Sequence, residues 1–271
     1  MNNLSVSKVF YEKVLRLKSK EELEKIEETL FDEEFFNYYF IDNFEGIFLV
    51  LVSKEQRILD VLVQKLLKYA DFVENRVTSS DEWIKNIIRE PFEFIDGVWI
   101  DPDFHEINTS GIVIKLTPGL AFGTGLHDTT KLAAELLRKY LKPGDVVLDL
   151  GCGSGILSIL AKKMGAGRVV AVDNDPLAVE VAKENAKKNG VDIEIRQSDL
   201  FSNVTGKFDL IISNIIAEIL LKVLEQVKDF LNFNGKVIFS GIVDSKVDLF
   251  TQQKVVEHRR KNEWNALVIK F

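Results

Sequence analysis

The apolar positions of residues 6–77 form a self-contained pattern of short runs. Val9, Tyr11, Val14 and Leu15 predict a first strand with imperfect alternation. Ser19-Lys-Glu-Glu22 reads as a capping box that opens a helix through Leu30. Two β-rich runs, 35–41 and 47–52, flank Asp42-Asn-Phe-Glu-Gly46 and predict a hairpin. Ser53-Lys-Glu-Gln56 is a second capping box, and Ile58, Val61, Leu62, Leu66 and Leu67 stripe the helix after it. Residues 72–77 supply a closing strand. Thr78-Ser-Ser-Asp81 then breaks the pattern and caps a short helix with Trp83, Ile84, Ile87 and Ile88. Pro91, Trp99 and Pro102 mark a connector with short strands at 94–95 and 98–100.

Beyond residue 115 helical and strand patterns alternate. A helix over 131–141 is striped by Leu132, Leu136 and Leu137, and a strand follows at 146–150. Ile156, Leu157, Ile159 and Leu160 supply a helix face, and 169–172 a second strand. Asp175 caps a helix with Pro176 in its first turn, running through Val179, Val181, Ala182 and Ala186 to Gly190. Further strands fall at 193–196, 210–213, 237–242 and 266–269, with room for only a stubby helix over 244–250. These repeats predict a doubly wound, Rossmann-like α/β sheet. The earlier order βαββαβ predicts a small α+β ferredoxin-like sandwich with one sheet face free. The expected division is a domain over 1–77, a structured connector over 78–114 and the α/β domain over 115–271.

Composition narrows the class. Hydrophobic content of 46% and charged content of 28% suit a globular protein with a real core. No apolar run reaches a membrane span, and Met1-Asn-Asn-Leu-Ser5 lacks the features of a signal peptide, so a cytoplasmic, monomeric protein without membrane contact is expected. One cysteine precludes an internal disulfide and leaves too few thiols for a zinc cluster, so no metal site is expected. A net charge of −7 argues against a large nucleic-acid surface.

The chemistry concentrates in residues 145–175. A strand ends in Gly151, Gly153 and Gly155, a helix follows, and the next strand stops at Asp173. Such a unit cradles an adenosine-containing ligand, with the acid accepting from ribose hydroxyls. The spacing is Gly-x-Gly-x-Gly, and Asp149 precedes the first glycine by two. A carboxylate there would repel a pyrophosphate and could meet an ammonium. No Gly-Lys-Ser/Thr ending is present, which excludes a nucleoside-triphosphate loop. The residues alone leave a dinucleotide site and a vestigial site open. The pattern resembles motif I of class I methyltransferases, which implies S-adenosylmethionine. Asp199, at the end of the third strand of the sheet, could accept from the adenine amine or be simply solvated. Asp149, Asp173, Asp199 and Asn214 all fall at strand ends, where ligands of such sheets bind.

A second glycine-rich segment, Leu116-Thr-Pro-Gly-Leu-Ala-Phe-Gly-Thr-Gly-Leu-His-Asp-Thr-Thr130, precedes the helix over 131–141. Gly119, Gly123 and Gly125 make it adaptable; Thr129 and Thr130 sit where hydroxyls cap a helix or bind ligands. His127 reads as a hydrogen-bonding loop residue, and His105 and His258 show no partners. This segment, with Asp149-Leu-Gly-Cys-Gly-Ser-Gly-Ile-Leu157, Asp173-Asn-Asp-Pro-Leu-Ala178, Asn214-Ile-Ile-Ala217 and Glu263-Trp-Asn-Ala-Leu-Val268, resembles the PrmA family. Those enzymes methylate large-subunit ribosomal protein 11. The likeness is strong over about the last 155 residues, and the N-terminal domain is similar in size and element order. It implies Thr130, Gly151, Asp173 and Asn214 as cofactor contacts. Two motifs depart from the family pattern. The family loop commonly reads Thr-His-Pro-Thr-Thr against Leu126-His-Asp-Thr-Thr130, and Asn-Ile-Leu-Ala against Asn214-Ile-Ile-Ala217. Both bear on fine substrate positioning.

On this reading the protein is an S-adenosylmethionine-dependent methyltransferase of lysine and N-terminal amines on ribosomal protein 11, free or on the ribosome. Asn214 is the expected catalytic residue, its side-chain carbonyl orienting the amine; the plain alternative is a cap for the helix from Ala217. Gly151, Gly153, Gly155, Asp149, Asp173, Asp199 and Thr130 complete the expected cofactor site. The small domain, which has no catalytic cluster, is expected to recognise or tether the substrate, or to be structural. An RNA or small-molecule methyltransferase of the same fold, and a non-enzymatic scaffold, remain the alternatives.

Overall fold

The computed structural model describes residues 9–33, 35, 38–43, 45–79, 91–102, 107–116, 125 and 127–271. The chain divides into two compact units, Met1–Ile87 and Ile88–Phe271.

In the first unit β1 (Val9–Leu17), β2 (Tyr38–Asn43), β3 (Gly46–Ser53) and β4 (Ala70–Ser79) form an antiparallel sheet in the order β2-β3-β1-β4. With α1 (Leu23–Asp32) and α2 (Gln56–Leu66) this is the ferredoxin-like arrangement that the sequence pattern predicts. Leu15, Leu17, Ile26, Leu30, Leu49, Leu51 and Leu59 form its core. Three local expectations change. Ser19 does not cap a helix: a 3-10 turn, Lys20–Glu22, comes first, and the Ser19 hydroxyl goes to the Glu21 carboxylate instead, holding its pKa down. Ser53 accepts from the Glu55 N–H at 3.1 Å, which delays the helix start to Gln56. The buried face of α2 is Leu59, Leu62, Val63 and Leu66, whereas Ile58, Val61 and Leu67 are exposed. Apolar residues occupy two stripes of this helix, and the one with i, i+3, i+4, i+7 spacing meets the sheet. Phe10, Val14, Val50 and Val52, which alternate with the core-facing residues of β1 and β3, are buried as well.

The helix expected around Trp83 lies outside the described residues, as do His105, Gly119 and Gly123. In the second unit β5 (Phe92–Ile95), β6 (Val98–Asp101) and β7 (Ile112–Lys115) form a small sheet of their own. The strand β7 is additional to the sequence reading, although Gly111-Ile-Val-Ile-Lys-Leu116 is a plain β-branched run. Phe94, Ile95, Val98, Ile100, Ile114 and Leu116 pack into the core of this unit, so the second half of the expected connector is part of its body.

The large sheet has the order β10-β9-β8-β11-β12-β14-β13. Its strands are β8 (Val146–Leu150), β9 (Arg168–Asp173), β10 (Glu194–Gln197), β11 (Phe208–Asn214), β12 (Leu231–Val243), β13 (Val255–Lys261) and β14 (Trp264–Lys270). The first five run parallel, and β14 enters antiparallel between β12 and β13. Helices α3 (Asp128–Tyr140), α4 (Ile156–Lys163) and α5 (Pro176–Lys188) lie on one face, and α6 (Ala217–Gln226) with the 3-10 turn Asp244–Phe250 on the other. Among the described residues no helix is long and apolar enough to cross a membrane.

Candidate functional site

The chain leaves β8 toward β9 and β10 on one side and continues with β11 and β12 on the other. The reversal places a crevice at the carboxyl ends of β8 and β11. Asp149 stands level with Ile212 on β11 and Ala171 on β9, so the turn after Leu150 opens into that crevice.

The turn is shaped by its glycines. Gly151 has φ +78, and a Cβ there would lie 2.5 Å from the Ile215 Cγ2. Only glycine tolerates both conditions. The N–H groups of Gly151 and Cys152 donate to Val172 O at 2.8 and 3.0 Å, which ties the turn to the end of β9. Gly153 N donates to Asp173 Oδ2 at 2.8 Å, and Asp175 N to Asp173 Oδ1 at 3.0 Å. Asp173 is thus fixed by backbone donors on both oxygens, each with lone pairs left over. Burial raises its pKa against these bonds. Gly155 serves a different contact: its open Cα faces Ala182 of α5, where a Cβ would approach to 3.2 Å.

Asp149 is buried, with Ser158 Oγ donating to its Oδ2 at 2.5 Å and no partner on Oδ1. Burial pushes its carboxyl up to about 7, against the Ser158 hydrogen bond and with the charge of Asp173 adding to the rise. Asp199 is exposed, one residue beyond Ser198, whose N–H donates to Asp173 O at 2.9 Å.

Asn214 ends β11. Its Nδ2 donates to Thr130 Oγ1 at 3.2 Å, and its Oδ1 is buried without a partner. Ile216 is the N-cap of α6 and no side chain caps that helix, so Asn214 is not the cap that the plain reading supposed. Thr130 arrives from the start of α3, which begins at Asp128, three residues earlier than expected. His127 is the N-cap there, its Nδ1 accepting from Thr129 N and lying 2.8 Å from Thr129 Oγ1. Burial lowers the His127 pKa, which favours the neutral ring. Ser240 Oγ donates to Thr129 O at 2.8 Å and pins this turn to β12.

Thr130, Gly151 and Asn214 therefore come together, with Gly153 and Asp173 beside them. Asp149 lies beneath the turn, Asp199 lies in solvent and Gly155 faces α5. Ser158 and Ser240 escaped the sequence reading. The available signal for Ser158 was a polar residue inside an apolar helix run, nine positions after a polar residue inside an apolar strand. His258 has a partner after all, Asn265 Oδ1 at 2.8 Å across the β13–β14 hairpin.

Strand order and glycine turn together define a Rossmann-like class I methyltransferase domain. A family model described as "Ribosomal protein L11 methyltransferase (PrmA)" matches residues 15–271. A relative from Thermosipho melanesiensis bearing the name "Ribosomal protein L11 methyltransferase" is 62% identical over 266 residues, covering 98% of this chain and all of the relative. One from Thermotoga maritima with the same name is 43% identical, with 96% and 98% of the two chains covered. The crystal structure of a ribosomal protein L11 methylase from Lactobacillus delbrueckii subsp. bulgaricus matches with a TM-score of 0.62 and 37% identity, covering 66% of this chain and 97% of that one. The chain belongs to the PrmA family.

Proposed function

We propose that this protein transfers methyl groups from S-adenosylmethionine to lysine side-chain and N-terminal amines of ribosomal protein 11, in the cytoplasm. The observation that carries the reading is the Asn214 amide. Its NH2 is committed to Thr130, and its buried carbonyl oxygen is left as an acceptor with nothing to accept from. Such an atom costs free energy unless a ligand meets it.

The residues fit the cofactor. Gly151, without a side chain, lets the turn lie against Ile215 next to Asn214, Asp173 offers oriented carboxylate oxygens for ribose hydroxyls, and Asp149 has an unpartnered oxygen for an ammonium. Bound there, S-adenosylmethionine supplies a methyl group already activated on a sulfonium. The protein's share is to receive a neutral amine and aim its lone pair. A lysine has an unperturbed pKa near 10.4 and must shed a proton first, which desolvation in the crevice favours. Asn214 suits this step because a neutral carbonyl accepts from the amine while stabilising the ammonium form far less than a carboxylate would. The residues after it, Ile215 and Ile216, are aliphatic, which suits a flexible lysine chain better than a stacked planar base. Incubation with labelled S-adenosylmethionine, unmethylated ribosomal protein 11 and ribosomal RNA tests the reading. Label on amines of the protein is expected; label in the RNA alone would overturn it.

Two results concern the cofactor. Asp173→Ala should weaken its binding by about 1.5 to 3 kcal/mol, the worth of charge-assisted hydrogen bonds. Unchanged affinity by calorimetry would remove Asp173 from the ribose site. Asp149 must be ionised to meet an ammonium, yet in the free protein its pKa is about 7. Below that pH the proton has to leave on binding, so affinity should fall as pH drops from 7 toward 5.5, by up to about tenfold per unit. Calorimetry in two buffers should detect the released proton, and Asp149→Asn should flatten the dependence. An affinity that does not vary with pH in the parent chain would place Asp149 away from the ammonium.

A further inference from the structure

The β13–β14 hairpin supplies none of the site residues named above, yet it grips α3 along its length. Glu257 accepts from Lys139 Nζ at 2.5 Å and from Tyr140 Oη at 2.7 Å. Arg259 Nη1 donates to Glu135 Oε2 at 2.9 Å. Lys261 Nζ lies 3.0 Å from Asp128 Oδ1, and Asn262 Nδ2 donates to Asp128 Oδ2 at 2.6 Å. Residues 257, 259 and 261 alternate along one side of an edge strand. Their partners step down the helix from its last residues to its first.

The last of these contacts differs from the others because of where it lands. Asp128 opens α3, two residues ahead of Thr130, whose hydroxyl holds the Asn214 amide. Both carboxylate oxygens of Asp128 are taken by a single turn of the hairpin, in which Asn262 adopts the left-handed conformation at φ +54. In the same place the Trp264 ring meets His127, the N-cap, edge to face at 4.9 Å. We infer that Asp128, clasped by Lys261 and Asn262, is a positioning residue that fixes the first turn of α3, so that Thr130 keeps the Asn214 carbonyl turned to the substrate amine. This inference rests on the reading of Asn214 given above.

The backbone shows what the clasp replaces. Asp128 stands at the first helical position, where a proline loses no helical hydrogen bond. A residue before proline must be extended, and His127, at φ −70 and ψ 140, already is. A proline at 128 would fix the entry to the helix covalently, with no help from the hairpin. An aspartate has to be held. Position 128 is also one of those at which the chain departs from the family pattern.

The test uses the full chain with Asp128→Ala, Lys261→Ala, both together, and Asp128→Pro. Two quantities are read: single-turnover transfer and KM with unmethylated ribosomal protein 11, and amide hydrogen exchange at residues 129–131 with no substrate present. Each alanine variant should lower the transfer rate about fivefold, the upper worth of a partly exposed ion pair, with KM little changed. The double variant should fall no further, and exchange at the first turn should quicken in all three. Asp128→Pro should restore both rate and protection. Lys261→Ala keeps the aspartate beside the helix N-terminus, so its effect cannot be a lost dipole contact. Unchanged exchange in both single variants would overturn the clasp whatever the activity, as would a folded Asp128→Pro as slow as Asp128→Ala. Absence of transfer by the parent chain, with exchange altered as expected, would count against the methyltransferase reading and leave the clasp standing.

Discussion

Replacing Asn214 with alanine is expected to slow methyl transfer about a hundredfold, the usual consequence of losing the orientation of a reacting group, while the fold survives. The side chain makes one neutral hydrogen bond, to Thr130 at 3.2 Å, worth about 1 kcal/mol. It also buries a carbonyl oxygen without a partner, a cost of about 1 to 3 kcal/mol in the free protein. Alanine removes both, so the melting temperature should move little in either direction. A residue kept for stability would behave the other way, with a lower melting point and intact turnover. Asn214→Asp sharpens the test. A carboxylate beside the amine favours the ammonium form and raises the amine's pKa. The amine then needs a higher pH to lose its proton, so the rising limb of the pH–rate profile should move to more alkaline pH. Melting and single-turnover rates on both variants separate the roles. An alanine variant as fast as the parent would leave the amine to be oriented by some other group.

Legibility in the sequence follows the range of the interactions. The strand–turn–helix–strand of residues 145–175 was readable because everything that shapes it is local: a β-branched run, alternate glycines, an apolar helix face and an acid at the next strand end. Asp175 and Pro176 announced α5 for the same reason, and the Asp175 side chain does accept from Leu177 N at 2.8 Å. The capping boxes at Ser19 and Ser53 misled because a serine near a helix start has several donors and acceptors within reach. Glu21 and the Glu55 N–H took them. The buried face of α2 depended on which of two apolar stripes met the sheet, a tertiary choice. At the site, Asn214 and Asp173 were visible as polar strand ends. The bond from Asn214 to Thr130 spans 84 positions, and no local pattern announces it. The clasp on Asp128 spans 134 positions and was visible only as a departure from a family motif.

Removal of the first unit should leave cofactor binding intact and abolish most activity on the intact protein substrate. The cut matters. The sequence pattern placed the start of the catalytic domain at residue 115, but Phe94, Ile95, Val98, Ile100 and Ile114 belong to the same buried cluster as Leu132, Leu157 and Val147. A chain beginning there would open that core and fail to fold. Ile88, the first residue of the second unit, is the place to begin. Such a chain keeps Thr130, Asp149, Gly151, Asp173 and Asn214, and every hydrogen bond given for them lies within it. Its affinity for S-adenosylmethionine should therefore be near that of the full chain. The described residues of the site are small or short polar side chains, whereas the first unit is a separately cored sheet with two helices. We propose that this unit grips ribosomal protein 11. Its loss should lower kcat/KM on the intact substrate at least about a hundredfold, equivalent to losing about 2.7 kcal/mol of interaction. A short lysine peptide, too small to be held by the first unit, should be methylated equally slowly by both chains. That comparison distinguishes lost recognition from damaged chemistry, once circular dichroism and melting show that the shortened chain is folded. If it methylates intact ribosomal protein 11 as fast as the full chain, the first unit has no part in recognition.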